Sequence, residues 1–252
     1  MPKKWSKNNL LNKKFKRTVK NSLSLNNLNL DNISIDDLKL NKNESNFLTF
    51  SKLKFLLDSV SSCQLSDAYL NITNTSPVIS NLKSINNQNT YGKIFTCKTN
   101  SDDWGTSALG IDFAEKEDIL FILVNDDKKA IWGEIASISA IKKGIKASVI
   151  YGSCRDVEAL EELEFPVFAL NNVPNAGKSL GLGELNIDLL INERNISSGD
   201  FFFGDENGAI IIEKNLFKKV LNEALLIKIR ESEILSDIEK GIKLSDLANL
   251  NR

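Results

Sequence analysis

The sequence predicts an α/β fold built on mixed strands, and two regions of the chain predict it. In the centre, strand-like and helix-like segments alternate. Residues 119–124 are a continuous apolar run, Ile131, Ile135, Ile138 and Ile141 recur at helical spacing, 147–151 is a second apolar run, and 157–163 is a second helical stretch. A βαβα order of this kind implies parallel strands. Further on, the runs 200–203 and 209–212 flank the turn Asp205-Glu206-Asn207-Gly208 and predict an antiparallel hairpin. One domain mixing parallel and antiparallel strands is the simplest assembly of the two.

The remaining elements follow in order. Residues 1–46 are rich in Asn, Lys, Ser and Leu with little apolar patterning, which reads as a flexible extension ahead of a domain at 47–252. Within the extension Leu11, Phe15 and Val19 lie four apart among lysines, the pattern of a basic amphipathic helix for organelle targeting or surface anchoring; a solvated tail is the plainer reading. From residue 47, Phe50, Leu53, Leu56, Leu57 and Val60 repeat at helical spacing, and 62–70 starts a second helix-like stretch around Ser66 and Asp67. An Asn-rich connection leads to a strand at 92–98, 166–170 adds another, and 215–240 reads as a long amphipathic helix.

Composition narrows the chemistry. No window approaches the roughly 18 to 20 apolar residues of a membrane-spanning helix, so a soluble, cytoplasmic protein is expected, with an organelle as the alternative if the arm is a targeting segment. The three cysteines, Cys63, Cys97 and Cys154, are odd in number and far apart, which fits neither a disulfide framework nor a metal knuckle. Histidine is absent altogether, which removes Ser-His triads, Cys-His dyads and imidazole zinc sites. Catalysis must then rest on carboxylates, Lys, Tyr, Cys or a metal held by oxygen. Residues 1–30 hold eight of the 32 basic residues and no acidic one, leaving 24 basic against 33 acidic on the rest, a formal charge of −9. A core of that charge is a poor general binder of nucleic-acid phosphates.

One constellation carries chemistry. Glu134 lies in the first turn of a predicted helix, and Arg155-Asp156 lies just past the carboxyl end of the following strand. In parallel α/β units both places face one crevice. Asp156 offers a hard oxygen suited to Mg2+ or Mn2+, and Arg155 a planar fork for a carboxylate. The unpaired amides at the helix start, of Ile135 and Ala136 beside Gly133, suit a second anionic oxygen. Together they would bind a 2-oxo acid such as pyruvate. By residue type alone, an Arg-Asp dipeptide at a strand end is more often a surface ion pair or a helix cap.

The spacing from Glu134 through twenty residues to Arg155-Asp156 resembles the acidic-x20-Arg-Asp motif of the RraA-like family, which includes 4-hydroxy-4-methyl-2-oxoglutarate aldolases and regulators of RNase E activity. Asp67-Ala68-Tyr69, Tyr91-Gly92-Lys93-Ile94-Phe95-Thr96, and the segments 151–163 and 198–208 resemble family segments in the same order, so that residues 48–244 are covered. The resemblance implies a single α/β/β/α sandwich, assembled as a homotrimer or hexamer with sites between subunits. It implies that Asp156 binds the divalent metal, Arg155 binds substrate, Glu134 acts through a metal-bound water, and the amides of Ile135 and Ala136, with Gly133, cradle pyruvate. An acidic residue of a neighbouring subunit's C-terminal helix also contributes in the family, with Glu231 and Glu233 as the candidates here. The activity implied is a metal-dependent lyase cleaving 4-hydroxy-2-oxo acids to pyruvate, with oxaloacetate decarboxylation at the same site. The alternative is a non-catalytic regulator that binds an RNA-degradation enzyme. Many of the aldolases carry Asp where this chain has Glu134, a carboxylate one methylene longer. Non-catalytic regulators tend to lack the metal-binding Asp, which is present here as Asp156.

Other patterns carry less. Gly177-Lys178-Ser179 resembles the end of a P-loop, but Asn172 stands where its first glycine is required. Gly181 and Gly183 lack the third glycine of a dinucleotide loop. Cys154 has no histidine to act as its base, Lys142 and Lys143 sit at a helix end where solvent and dipole account for them, and Asp205 to Gly208 has too few ligands for a calcium loop.

Overall fold

A computed structural model describes residues 35–38 and 44–250. Helix α1 (Glu44–Leu57) begins before the boundary read at residues 46 and 47. Ahead of it, the 3-10 turn Ile35–Leu38 buries Ile35 completely, and Asp36 pairs with Lys214 at 3.0 Å. The basic segment around Leu11, Phe15 and Val19 lies outside the described residues. Helix α2 (Ser62–Thr73) starts at a capping box: Ser61 and Gln64 satisfy each other's backbone amides, which is why the chain turns helical at that point.

The strands are β1 (Lys83–Ser84), β2 (Thr90–Thr99), β3 (Ile119–Val124), β4 (Ala130–Trp132), β5 (Ala147–Cys154), β6 (Val167–Asn172), β7 (Glu184–Leu185), β8 (Leu189–Ile191), β9 (Arg194–Ile196), β10 (Phe201–Asp205) and β11 (Gly208–Ile212). Among the described residues nine of them join in one mixed sheet of order β1-β6-β5-β3-β2-β10-β11, with β4 on β5 and β7 on β2, while β8 and β9 form a separate hairpin. The expected parallel pairs are present: β2 with β3, β3 with β5 and β5 with β6. So is the hairpin, in which Asp205 faces Gly208 across a two-residue turn. Asp205 is engaged within the fold. Its carboxylate accepts from Ser62 N and Oγ at 2.9 and 2.7 Å and from Asn207 N at 2.9 Å, tying the hairpin to α2.

The ten residues of β2 bend the sheet. Residues 90–93 pair with β10, whereas Ile94 to Thr99 pair with β3, so one strand serves both halves. The segment before β1 then nearly closes the sheet: Ile79 N donates to Ala209 O on β11 at 2.9 Å, and Lys83 and Ser84 pair with Ala169 and Phe168 on β6. Inside lie Ile94, Phe121, Val149, Phe168, Phe202 and Ile211. Outside one half pack α2 and α6 (Phe217–Glu239). Beside the other lie α3 (Gly105–Phe113), α4 (Glu134–Lys143) and α5 (Val157–Glu162). A short helix α7 (Leu244–Leu247) ends the fold. The layers thus run helix, sheet, sheet, helix, as expected. Among the described residues no helix is long and apolar enough to cross a membrane.

One reading of the periodicity is corrected. Ile131 belongs to strand β4 and is buried, and α4 begins only at Glu134. That helix packs inward through Ser137 and Ala140, whose small side chains allow a close approach, so Ile135, Ile138 and Ile141 face outward. The regular spacing of the isoleucines marks a helix face, but not the face this chain buries.

Phe202 is fully buried in the sheet interior, edge-on to Phe168 at 5.4 Å between centroids. Phe202→Ala should destabilise the fold by about 3–5 kcal/mol, the usual cost of such a cavity, read as a lower urea midpoint at unchanged slope.

Candidate functional site

Strands β4 and β5 run parallel and end together. Trp132 is registered with Cys154, and Arg155 N donates to Trp132 O at 3.0 Å. The residues that follow each strand, Gly133 to Ala136 on one side and Arg155-Asp156 on the other, are therefore neighbours in space, although twenty residues separate Glu134 from Arg155. The first turn of α4 is held by a relay. Trp132 Nε1 donates to Ser137 Oγ at 2.8 Å, and Ser137 Oγ donates to Gly133 O at 3.1 Å.

Gly133 is required by contact. Its backbone is extended, but a Cβ there would lie 2.5 Å from Asp156 Oδ2. Asp156 Oδ2 accepts from Glu134 N at 3.2 Å and stands 3.4 Å from Arg155 Nε. The helix's own ladder begins with Ser137 N to Gly133 O, which leaves the amides of Ile135 and Ala136 outside it, at the positive end of the helix dipole. Asp156 itself sits in the left-handed region at φ 58°, a conformation that Asp tolerates better than most residues.

These groups border a cavity of about 380 Å3. Gly133, Ile135, Ala136, Arg155 and Asp156 all line it. Glu134 does not: it reaches the cluster through its amide, and its carboxylate is exposed. Glu231 is engaged within its own chain by Gln64 Nε2 at 2.6 Å, and Glu233 is exposed. The cysteine beside the pair is buried, and burial pushes the Cys154 thiol up to about 11, away from the thiolate form.

The opposite wall depends on a residue whose importance the sequence did not signal. Asp103 is completely buried, and its carboxylate accepts from the amides of Leu180, Gly181 and Leu182 at 3.0, 2.8 and 2.8 Å and from Thr106 Oγ1 at 2.7 Å. Burial alone would push this carboxyl up, yet the hydrogen bonds from Thr106 and the three amides outweigh burial and hold it at about 2. Of the glycines that resemble nucleotide loops, Gly177 and Gly183 are explained by backbone packing and Gly181 by its left-handed backbone at φ 67°. A Cβ on Gly105 would lie 2.6 Å from Gly181 N, and one on Gly177 2.4 Å from the Asp102 carbonyl carbon. Loop 176–183 thus lies flat on the start of α3 and brings Ala176 and Gly177 to the cavity opposite Arg155.

Residues 62–211 match the RraA-like (Aldolase/RraA) family. The chain belongs to the RraA-like family. Its similarity to the uncharacterized protein MJ0644 of Methanocaldococcus jannaschii is 38% identity over 176 residues, 69% of this chain and 82% of that one. An Alcanivorax borkumensis protein named "Putative 4-hydroxy-4-methyl-2-oxoglutarate aldolase" is 35% identical over 89 residues, 35% of this chain and 56% of its own length. The solved structure of the RNA-processing inhibitor RraA from Thermus thermophilis superposes with a TM-score of 0.52 at 21% identity, covering 58% of this chain and 91% of that chain. At that identity the likeness is one of fold. The Glu134 to Asp156 segment lies wholly inside the stretch that matches the RraA-like family.

Because Asp103 has a folded pKa of about 2, below the ordinary carboxylate value, its contribution to stability is present above pH about 4. It is lost as pH falls through that value towards 2. Asp103→Asn should remove this acid-dependent component and cost about 2–3 kcal/mol at neutral pH, since a neutral amide replaces a charged acceptor of buried donors; denaturant melts of both proteins from pH 7 to 3 measure it.

Proposed function

We propose that this RraA-like chain is a divalent-metal-dependent carbon–carbon lyase that cleaves 4-hydroxy-2-oxo acids of the 4-hydroxy-4-methyl-2-oxoglutarate type to pyruvate, and that it also decarboxylates oxaloacetate. The observation that carries the reading is the convergence on one cavity of the Asp156 carboxylate, the Arg155 guanidinium and the two amides left over at the start of α4. The name of the Alcanivorax relative supports it.

Among the described residues no cluster of three or more His, Cys, Asp or Glu side chains is placed to hold a metal. A site with Asp156 as its protein ligand fits Mg2+ or Mn2+, which commonly keep several waters and use one or two carboxylates, better than zinc. Bound there, the ion would supply Lewis-acid stabilisation of the negative charge that gathers on the 2-oxo oxygen as the C3–C4 bond breaks.

The chain's own groups divide the remaining work. The Arg155 fork binds and orients the substrate carboxylate. The amides of Ile135 and Ala136 hold a second anionic oxygen with the dipole of α4 behind them. Glu134, exposed one residue beyond Gly133, carries the proton from the 4-hydroxyl oxygen through water to C3 of the departing pyruvate. Trp104, Trp132 and the loop at Ala176 and Gly177 limit water around the reacting bond. In the assembly proposed, a homotrimer or hexamer, a second copy covers Ile135, which is 79% exposed in the single chain, together with Ile138 and Ile141.

The deciding assay is pyruvate release from oxaloacetate and from 4-hydroxy-2-oxo acids with and without a second carboxylate, in Mg2+ and then in chelator. Turnover should require the metal. Asp156→Asn should lower it about a hundredfold or more, and Arg155→Lys, which keeps the charge and loses the fork, should lower kcat/KM about tenfold or more. No pyruvate from any of these acids, with the protein folded and metal present, would leave the non-catalytic regulator as the reading. For the assembly, Ile138→Glu should yield smaller particles by light scattering; an unchanged mass would remove α4 from the interface.

A further inference from the structure

The cavity beside Arg155 and Asp156 is a groove between two helices. Strands β2, β3, β5 and β4 are parallel, so α3 and α4, which follow β2 and β4, start at the same edge of the sheet. At their far ends Lys143 Nζ donates to Asp112 O at 2.6 Å and joins the last turns. Between these limits α3 lines the groove with Ser107, Ala108 and Ile111, and α4 lines it with Ala136 and Ser139.

Past the Arg155-Asp156 corner, the polar side chains along the groove are Trp104, Ser107 and Ser139. Ser107 Oγ is buried out of contact with solvent. Trp104 stands at the start of α3. Ser139 is exposed, and among the described residues no group engages its hydroxyl. Ser137, two residues earlier, is by contrast occupied by Trp132 Nε1 and Gly133 O. Ser139 lies about 100° round α4 from Ile138, the middle of the apolar face assigned above to a second copy, and so on the flank that shares the groove with α3.

Its distance along the helix is what suits it to a ligand. Ser139 follows Ile135 and Ala136, whose amides are the two left over, by four and three residues, which places it about 4.5 to 6 Å farther along the groove. Its side chain leans back towards the helix start. An extended five-carbon acid spans about 5 Å from C1 to C5 by standard bond lengths. An acid held at the corner by its first carboxylate and 2-oxo oxygen therefore brings its second carboxylate to Ser139. A carboxylate against Ala108 and Ile111 without a partner would be costly. A hydroxyl donating to it removes that cost through a charge-assisted bond, and Lys143, one turn farther on, adds positive charge.

We infer that Ser139 recognises the far end of the substrate, its hydroxyl donating to the second carboxylate while Arg155 holds the first. This rests on the reading of the corner proposed above, and adds to it the residue by which a dicarboxylic 2-oxo acid is told from a monocarboxylic one.

Calorimetry on the full chain in Mg2+ tests the inference with three acids that carry no aldol bond: pyruvate, 2-oxopentanoate and 2-oxoglutarate. The last two share a chain length and differ in the distal carboxylate. The native chain should bind 2-oxoglutarate several-fold tighter than 2-oxopentanoate. Ser139→Ala, a substitution that an exposed helix position accepts readily, should weaken 2-oxoglutarate about tenfold more than pyruvate and close the gap to 2-oxopentanoate. Ser139→Thr, which keeps the hydroxyl, should restore most of it. Equal effects of Ser139→Ala on pyruvate and 2-oxoglutarate, or 2-oxopentanoate binding as tightly as 2-oxoglutarate to the native chain, would overturn the inference and leave the corner standing. So would a loss that follows Trp104→Phe in place of Ser139→Ala, which would make the indole N-H the donor. A native chain that binds no pyruvate would overturn the corner itself, and the inference with it.

Discussion

The site exists because β4 and β5 are parallel and finish in register. A three-residue strand has little stability of its own, yet β4 is held on both flanks: Trp132 pairs with Cys154 on β5, and Ala130 N donates to Asn175 O at 2.8 Å. Its carboxyl end is therefore fixed against the end of β5, and the chain must leave both strands through adjacent turns. Everything chemical follows from that adjacency. The start of α4 is aimed at Asp156, the carboxylate accepts the first amide of the helix, and no side chain larger than hydrogen fits at Gly133 between them.

The facing wall is built by different means. It is held by one buried charge and by backbone lying on backbone. Asp103 gathers three consecutive amides and a threonine hydroxyl, and glycines at 105, 177, 181 and 183 let two irregular segments touch. A buried carboxylate with that many donors is well satisfied, whereas removing the charge would orphan the donors. The positions of Ala176 and Gly177 are thus set from inside the protein, so that this side of the cavity is formed by the fold itself.

Much of this was legible in the sequence, and what was not has a physical reason. The apolar runs at 119–124 and 147–151 and the hairpin at Asp205 to Gly208 fall where the pattern puts them, because a continuous apolar run and turn chemistry are local properties. The Glu134 to Asp156 spacing was legible too, since a parallel crossover returns a helix start and a strand end to the same edge. Ile131 was misread because β4 is too short to show a period and its isoleucine happens to be in phase with those of α4. Asp103 was invisible, since its donors are amides some eighty residues away that any residue type would supply. The same is true of the glycine-rich loop. Its composition suggests phosphate binding, while its contacts show that the missing side chains make room for another stretch of backbone.

The energetics of Arg155-Asp156 bear on why the pair is there. Both side chains are more than a third exposed, and at 3.4 Å the contact is a loose one. Such pairs contribute about 0–1 kcal/mol to stability. The ion pair by itself therefore gives the fold little. Asp156 also takes a left-handed backbone, a conformation that Asp and Asn adopt more readily than most residues. Asp156 makes no side-chain hydrogen bond to the helix that follows it; its carboxylate instead accepts from the amide of Glu134, capping the start of α4 at the positive end of that helix's dipole. The left-handed turn at Asp156 and its hydrogen bond to α4 together fix a guanidinium, a carboxylate and two spare amides beside one cavity.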